Sequence, residues 1–473
     1  MANDELDPMT PPTEFLAACP RFRILVLGNP ESTKQELFTK VFGVALEKKL
    51  VDEAFTSSQN IDHELDLYGQ NKRVAIHTSL NFNNSDEHNY DRVCNFLRTH
   101  TTSAKQEEHI HSIWYCVASE EGRSVAELEK RFFTSGLQSA APHVPVTLVF
   151  TKYEEFVNKV RLDWSHDAEQ RGLSKLAVSH ILRDLSSKKF ESNIGKKWDA
   201  VLNGAVPRVC VWSGDSDEGA RSFEALADVT LSKLRERSVR YAFAAAQRSS
   251  AMTSTRFAAD TASHYFEVDT GHARKLHGID MRDILPNFFC KAVQLFNLHD
   301  PSGTLSSDPT ILLPRVLDAA FGPSQRGLVT ECLRKSSTEP GTILSSLSPH
   351  ERAVLLTQAL AAAVLFLHRL AVAQWPRHLA PSSPADPSGF LSLSASPPTK
   401  AMGTAAPLGS LQNEIERAAR DISHGSEGKA VLAAVEASTI FTTCTLRRGV
   451  ADLIVKAVEQ AERIGERSWK AGE

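Results

Sequence analysis

Five short apolar runs, separated by segments of helix length, constrain this chain more than any other feature. The first is Phe22-Arg-Ile-Leu-Val-Leu27, ending at Gly28; the others are Arg73–His77, Ser112–Val117, Val146–Phe150 and Arg208–Trp212. A strand that reads as nearly continuous apolar sequence, rather than alternating, is covered by helices on both faces. Strands alternating with helices imply βαβ units and a parallel sheet. The expected class is therefore α/β: a doubly wound, mostly parallel sheet of the P-loop NTPase-like kind.

Beyond Trp212 the pattern changes. From Ser222 to about Val372 helical periodicity dominates, most clearly in Ala242–Gln247, Leu285–Leu298 and Ala353–Val372. Residues 376–410 are rich in Pro, Ser and Ala and read as a flexible linker or loop. Helical sequence resumes from Leu411, with a break expected at His424–Gly428. Residues 1–20, with Pro8, Pro11 and Pro12 among acidic residues, read as a disordered tail. The expected organisation is a 1–20 tail, a 21–238 α/β domain, a 239–375 helical domain, a 376–410 linker and 411–473 C-terminal helices. A chain of 473 residues has room for that, since domains typically run to ~100–200 residues.

Charge and cysteine usage exclude several classes. A net charge of −4 gives no electrostatic basis for nucleic-acid binding. Seven widely spaced cysteines, with no Cys-x-x-Cys pair, argue against a disulfide framework or zinc module and fit a reducing, cytoplasmic setting. The N-terminus lacks the apolar core of a signal peptide. The one membrane-like stretch, Val354–Val372, is interrupted by Gln358, His368 and Arg369. It reads as a buried core helix with too short an uninterrupted part to span a bilayer, so no transmembrane segment is expected.

In a parallel sheet, chemistry is sought in the loop after the first strand, where backbone N–H groups and a helix N-terminus can hold phosphate. That loop is Gly28-Asn29-Pro30-Glu31-Ser32-Thr33-Lys34-Gln35, against the pattern G-x-x-x-x-G-K-[ST]. Gly28 and Lys34 match, and a helix follows. Thr33 crowds a position that needs glycine, and Pro30 removes a donor. Glu31 adds a negative charge, and Gln35 replaces the hydroxyl that ligates Mg²⁺. The alternative is an ordinary strand–turn–helix connection with a surface lysine.

Two further strand ends are informative. Phe150-Thr151-Lys152-Tyr153-Glu154 matches the guanine-clamp pattern [NT]-K-x-D, with the carboxylate longer by one methylene. His77-Thr78-Ser79-Leu80-Asn81-Phe82 stands where D-x-x-G would hold metal and γ-phosphate. Thr78 replaces Asp, Asn81 replaces Gly, and Phe82 cannot orient water. Ser213, after the last strand, would face the base edge.

Together these stretches, with Ile113-Trp-Tyr-Cys116, resemble a fungal family of GTPase-like proteins that carry a G domain followed by a helical C-terminal region. The resemblance covers residues 21 to about 215, and more loosely 283–301. It implies GTP, with Mg²⁺, as the possible ligands. The nucleotide-binding positions would be Gly28, Asn29, Ser32, Thr33, Lys34, Gln35, Thr78, Asn81, Thr151, Lys152, Glu154 and Ser213. The departures at Thr33, Gln35, Thr78, Asn81 and Glu154 lead to the expectation of a pseudo-GTPase: a protein-interaction scaffold or switch with no catalytic or metal-binding residues. The alternatives are a weak, slow GTPase and a peripheral membrane adaptor working through the helical half. A protein partner is expected; the sequence does not identify it, nor the oligomeric state.

Two other constellations carry weaker signals. His109 and His111 share one face of a strand near Cys116, but a metal site would need further ligands. Asp215, Asp217 and Glu218 read as a solvated turn with a helix cap, because calcium-loop spacing fails.

Overall fold

The computed structural model describes residues 12–28, 34–44, 61–62, 64–65, 71–79, 87–120, 122, 124–169, 175–202, 206–214, 216–264, 281–298, 305, 313, 316–317, 349–374, 418 and 446–472. The chain divides into two compact units, one spanning Glu14–Ser250 and the other made up of Met1–Thr13 with Ala251–Glu473.

In the first unit the described strands form one five-stranded, all-parallel sheet in the order β2-β1-β3-β4-β5. They are β1 (Phe22–Gly28), β2 (Val74–Thr78), β3 (Ser112–Ala118), β4 (Val146–Thr151) and β5 (Arg208–Cys210). The apolar runs become strands because both faces are covered. Alternate residues of β1 and β3 enter two separate cores: Leu25, Leu27, Ile113 and Tyr115 one, and Phe22, Ile24, Val26 and Trp114 the other. The outer edge of β2 is met by Leu65, whose N–H donates to Ile76 O at 2.9 Å.

The connecting helices cover both faces of the sheet. Leu37, Phe38 and Val41 of α2 (Lys34–Phe42) pack on the Trp114 side, with Phe42 stacked on Trp114 at 5.5 Å between ring centroids. Trp114 Nε1 donates to Thr230 Oγ1 at 3.0 Å, so the buried indole keeps a partner for its N–H. The opposite core takes Tyr90, Val93 and Leu97 of α3 (Glu87–Thr101). There too lies the helical run from α4 (Glu127–Arg131) through a π-helical turn, Phe132–Gly136, to Leu137–Ala140. That face is completed by α5 (Tyr153–Glu169), α6 (Lys175–Phe190) and α7 (Lys196–Leu202). The Trp114 side is completed by α8 (Asp217–Lys233) and α9 (Arg237–Ala246).

Three boundaries differ from the sequence reading. The tail assigned to residues 1–20 contains α1 (Pro12–Ala18). Its Phe15 is buried against Tyr241, with the Arg237 guanidinium over its ring, and this apolar anchor outweighs the proline-rich surroundings. The first unit extends past 238 to Ser250, because Val239, Ala242, Phe243 and Ala246 of α9 complete the sheet's core. The last strand stops at Cys210 rather than Trp212: Val211 N–H still donates to β4, but from Trp212 on the amides turn to other elements.

The second unit is helical among the described residues: α10 (Ala251–Ser263), α11 (Met281–Phe296), α12 (Pro349–Gln374) and α13 (Leu446–Gly472). The window Val354–Ala373 of α12, with Gln358, His368 and Arg369 inside it, is long and apolar enough to cross a membrane by length and composition only. It is 89% buried within the protein. His368, near its end, links three helices: its Nδ1 lies 2.9 Å from Thr255 Oγ1 and its Nε2 2.6 Å from Glu462 Oε1. The 376–410 segment and the break expected at 424–428 lie outside the described residues.

Candidate functional site

In the strand order 2-1-3-4-5, the direction in which successive strands are added to the parallel sheet reverses between β1 and β3, and ligand crevices form outside the carboxyl ends of strands at such a switch point. Gly28 ends β1 there, opposite Cys116 in the parallel register. Its φ is +106°, and an added β-carbon would stand 2.0 Å from Cys116 O. The carboxyl end of β1 therefore requires glycine on two independent grounds, conformation and space.

Lys34 opens α2 and folds back over the sheet. It is only 1% exposed, and its ammonium donates to Gly28 O at 3.0 Å and Ser79 O at 3.1 Å. Burial pulls its pKa down to about 8. The reading of a surface lysine is thus excluded, and so is a cation held out toward solvent: the side chain staples the end of β1 to the segment leaving β2. Gln35, next in the chain, is exposed.

The segment after β2 is bonded inward. Thr78 Oγ1 donates to Val26 O at 2.9 Å, and Ser79 Oγ donates to Asn89 Oδ1 on α3 at 3.0 Å. Thr151, at the end of β4, is fully buried with its hydroxyl donating to Val117 O at 3.4 Å. Lys152 adopts φ +56°, the left-handed region, as the chain turns into α5, and it pairs with Glu155 at 3.8 Å. Ser119 follows β3, and its N–H donates to Thr151 O at 2.9 Å. The Ser119 hydroxyl is buried and unpartnered among the described residues.

The loop after β5 has the densest hydrogen bonding at this edge. Four consecutive amides are each taken by a different element. Val211 N–H donates to Phe150 O on β4 at 2.8 Å, and Trp212 N–H to Ser222 Oγ on α8 at 3.1 Å. Ser213 N–H donates to Glu154 Oε2 on α5 at 2.8 Å, and Gly214 N–H to Glu36 Oε1 on α2 at 2.7 Å. The residues matched to the clamp and base edge, Glu154 and Ser213, are brought together, but they bond each other.

Of the expected site, the structure gathers Gly28, Lys34, Gln35, Thr78, Thr151, Lys152, Glu154 and Ser213 at the carboxyl edge of the sheet or on the helices and loops that leave it. Asn29, Ser32, Thr33 and Asn81 lie outside the described residues, as do Pro30, Glu31 and Phe82. Sequence reading missed Glu36, Ser79 and Ser119. A glutamate in the first turn of a helix is ordinary, and the partner of Glu36 lies 178 residues away.

Among the described residues, the two expected nearest metal and phosphate, Thr78 and Lys34, are turned to the protein's own carbonyls. The Thr78 hydroxyl is committed to Val26 O, and the Lys34 ammonium to two carbonyls. No group of three metal-ligating side chains occurs among the described residues.

The histidines near β3 have structural partners. His109 Nε2 donates to Ser103 O at 2.7 Å. His111 Nδ1 accepts from Arg23 N at 2.9 Å, while its Nε2 lies 3.0 Å from Gln106 O. Burial pulls the His111 pKa down to about 4. Both precede β3 rather than sharing a strand face. Ser216 caps α8 by accepting from Gly219 N–H at 3.0 Å, with Asp217 and Glu218 in the first turn.

No protein-family model matches the chain, and no curated protein matches it.

Proposed function

We propose that the α/β unit is a pseudo-GTPase: a P-loop-like domain that keeps the turn and lysine of a phosphate site but serves, in the cytoplasm, as a scaffold or switch for a protein partner. The observation that carries this reading is Lys34. A phosphate-loop lysine acts by presenting its charge to the β- and γ-phosphates. Here that charge is buried on Gly28 O and Ser79 O. Two of its three donors are thereby engaged, so a triphosphate would find one N–H of this lysine uncommitted, and would meet Gln35 and Thr78 where a metal needs anchors. The sequence departures at Pro30, Thr33 and Asn81 act in the same direction, and Phe82 offers nothing to orient water.

Losing several charge-assisted contacts, worth ~1.5–3 kcal/mol each, moves a nanomolar site to about millimolar or weaker. The expected result of calorimetric titration is GTP affinity no tighter than about millimolar, with no gain from Mg²⁺ and no phosphate release. Micromolar, Mg²⁺-dependent binding would reverse the reading in favour of a weak GTPase. Combining Thr33→Gly, Gln35→Ser and Thr78→Asp is expected to bring back some Mg²⁺-dependent binding. Failure of that combination would mean that the loop geometry itself is not that of a phosphate loop.

A further inference from the structure

We propose that α1 is a displaceable plug: it occupies a helix-docking seat on α9, and an acidic amphipathic helix of a protein partner takes that seat in its place. The inference rests on the reading of the α/β unit as a scaffold for a protein partner, and it names the surface and the chemistry of that partner.

Helix α1 has seven residues, too few to hold helical form alone in water. One face keeps it in place. Phe15, Leu16 and Cys19 are buried, while Glu14, Ala17 and Ala18 are exposed. Positions i, i+1 and i+4 thus make one apolar stripe, the way a docked helix anchors in a groove. The Phe15 ring lies 5.2 Å from that of Tyr241, and the Arg237 guanidinium stands over it at 4.8 Å from its centroid. Cys19 N–H donates to Phe15 O at 2.9 Å, so lifting the helix opens this last turn and bares the thiol.

The seat is held narrowly. Two buried side chains of α1 must offset the backbone entropy of ordering the whole segment. Charge adds little, because the only acid in α1 is Glu14. The receiving helix has more to offer. Arg240 is exposed one turn on from Arg237, and Arg235 is exposed just ahead of it, with Glu236 the one acid between. A partner helix with the same apolar stripe, preceded by several acidic residues, meets these arginines as well as the ring pocket. Complementary charge favours it over the chain's own segment.

The test uses the full chain without nucleotide. Iodoacetamide labelling is followed at Cys19 and, as an internal reference, at Cys116, which is fully buried on β3. Cys19 in Phe15→Ala is expected to label about tenfold faster than in wild type, with Cys116 still protected. Phe15→Leu, which keeps an apolar anchor, is expected to stay within about threefold of wild type. The probes are a synthetic peptide, Pro-Thr-Glu-Phe-Leu-Ala-Ala, and a version extended at its start by glutamates. Both are expected to restore Cys19 protection in Phe15→Ala, the acidic one at about tenfold lower concentration. Unchanged labelling of Cys19 in Phe15→Ala overturns the proposal. So does equal opening of Cys116, which would make α1 an integral part of the core. Peptides that give no protection, or an acidic peptide no better than the plain one, overturn the partner assigned. A wild-type dimer that Phe15→Ala abolishes would overturn it too, giving the seat to the α1 of a second copy. No readout here involves nucleotide, so each is independent of the GTP titration that tests the pseudo-GTPase reading.

Discussion

Replacing Gly28 with alanine is expected to unfold the α/β unit or leave it barely stable. Two penalties combine. The residue sits at φ +106°, where a non-glycine residue costs ~1–3 kcal/mol. Its new methyl would also stand 2.0 Å from Cys116 O and under 3 Å from Cys116 C and N, all of them backbone atoms of the adjacent strand. No side-chain rotation relieves that overlap; β1 must part from β3 at the switch point. A total of about 4 kcal/mol or more is large against the ~5–15 kcal/mol by which domains are stable. Gly122 supplies the control: its φ is +85° and a β-carbon there meets nothing within 4 Å. Gly122→Ala should cost only about 1 kcal/mol, a conformational penalty alone. At roughly 2–4 °C per kcal/mol for a unit of this size, thermal unfolding should drop by about 10 °C or more for Gly28→Ala and by about 3 °C for Gly122→Ala. Equal shifts would show that the strand contact is not as close as described.

Lys34 should leave a signature in stability against pH. Its folded pKa is about 8 against an ordinary 10.5, with burial as the leading cause. As pH rises through 8, the folded protein gives up this proton while the unfolded chain still holds it, so the group's contribution to stability rises. The rise ends once the unfolded lysine also titrates, near 10.5. Burial acts oppositely on Cys19, Cys116 and Cys210, holding each thiol up at about 12, so they erode stability above pH 9. The informative quantity is therefore the difference between wild type and Lys34→Met, which keeps the volume and leaves the thiols in place. That difference should move in favour of the wild type by a few kcal/mol between pH 7 and pH 10, on the order of 1.36 kcal/mol for each pH unit by which burial lowers the lysine's pKa. The lost bonds to Gly28 O and Ser79 O shift the variant's whole curve without changing its slope, because carbonyls do not titrate here. Parallel profiles, measured by denaturant unfolding at each pH, would mean that Lys34 is solvated and free to reach a ligand. That result would also weaken the case for a pseudo-GTPase.

The two variants address different features of one turn. Gly28 decides whether the chain can turn so close to β3; Lys34 decides what the turn then encloses. In the arrangement seen, the Lys34 ammonium bonds the carbonyls of Gly28 and Ser79. The loop after β5 shows the same economy, with Glu154 and Glu36 on adjacent amides.

Legible in the amino-acid order were the parallel sheet, its five strands to within two residues, the glycine at the end of β1 and the helices described beyond residue 250. These follow from local regularities: apolar runs too continuous for a half-exposed strand, a glycine at a strand end, and a 3.6-residue period. Tertiary structure alone decided the rest. Phe15 makes a helix of a proline-rich stretch because Tyr241 waits more than two hundred residues away. His109 and His111 look like metal ligands in sequence, but Ser103 O, Gln106 O and Arg23 N claim them. Glu36 carries no local signal of its role. Lys34 matches a motif, yet its charge rests on the carbonyl left free by the turn at Gly28 and on Ser79, 45 residues away. Periodicity reports which face of an element is buried, whereas a hydrogen-bond partner depends on which distant backbone groups the fold leaves unpaired, and no spacing within a segment encodes that.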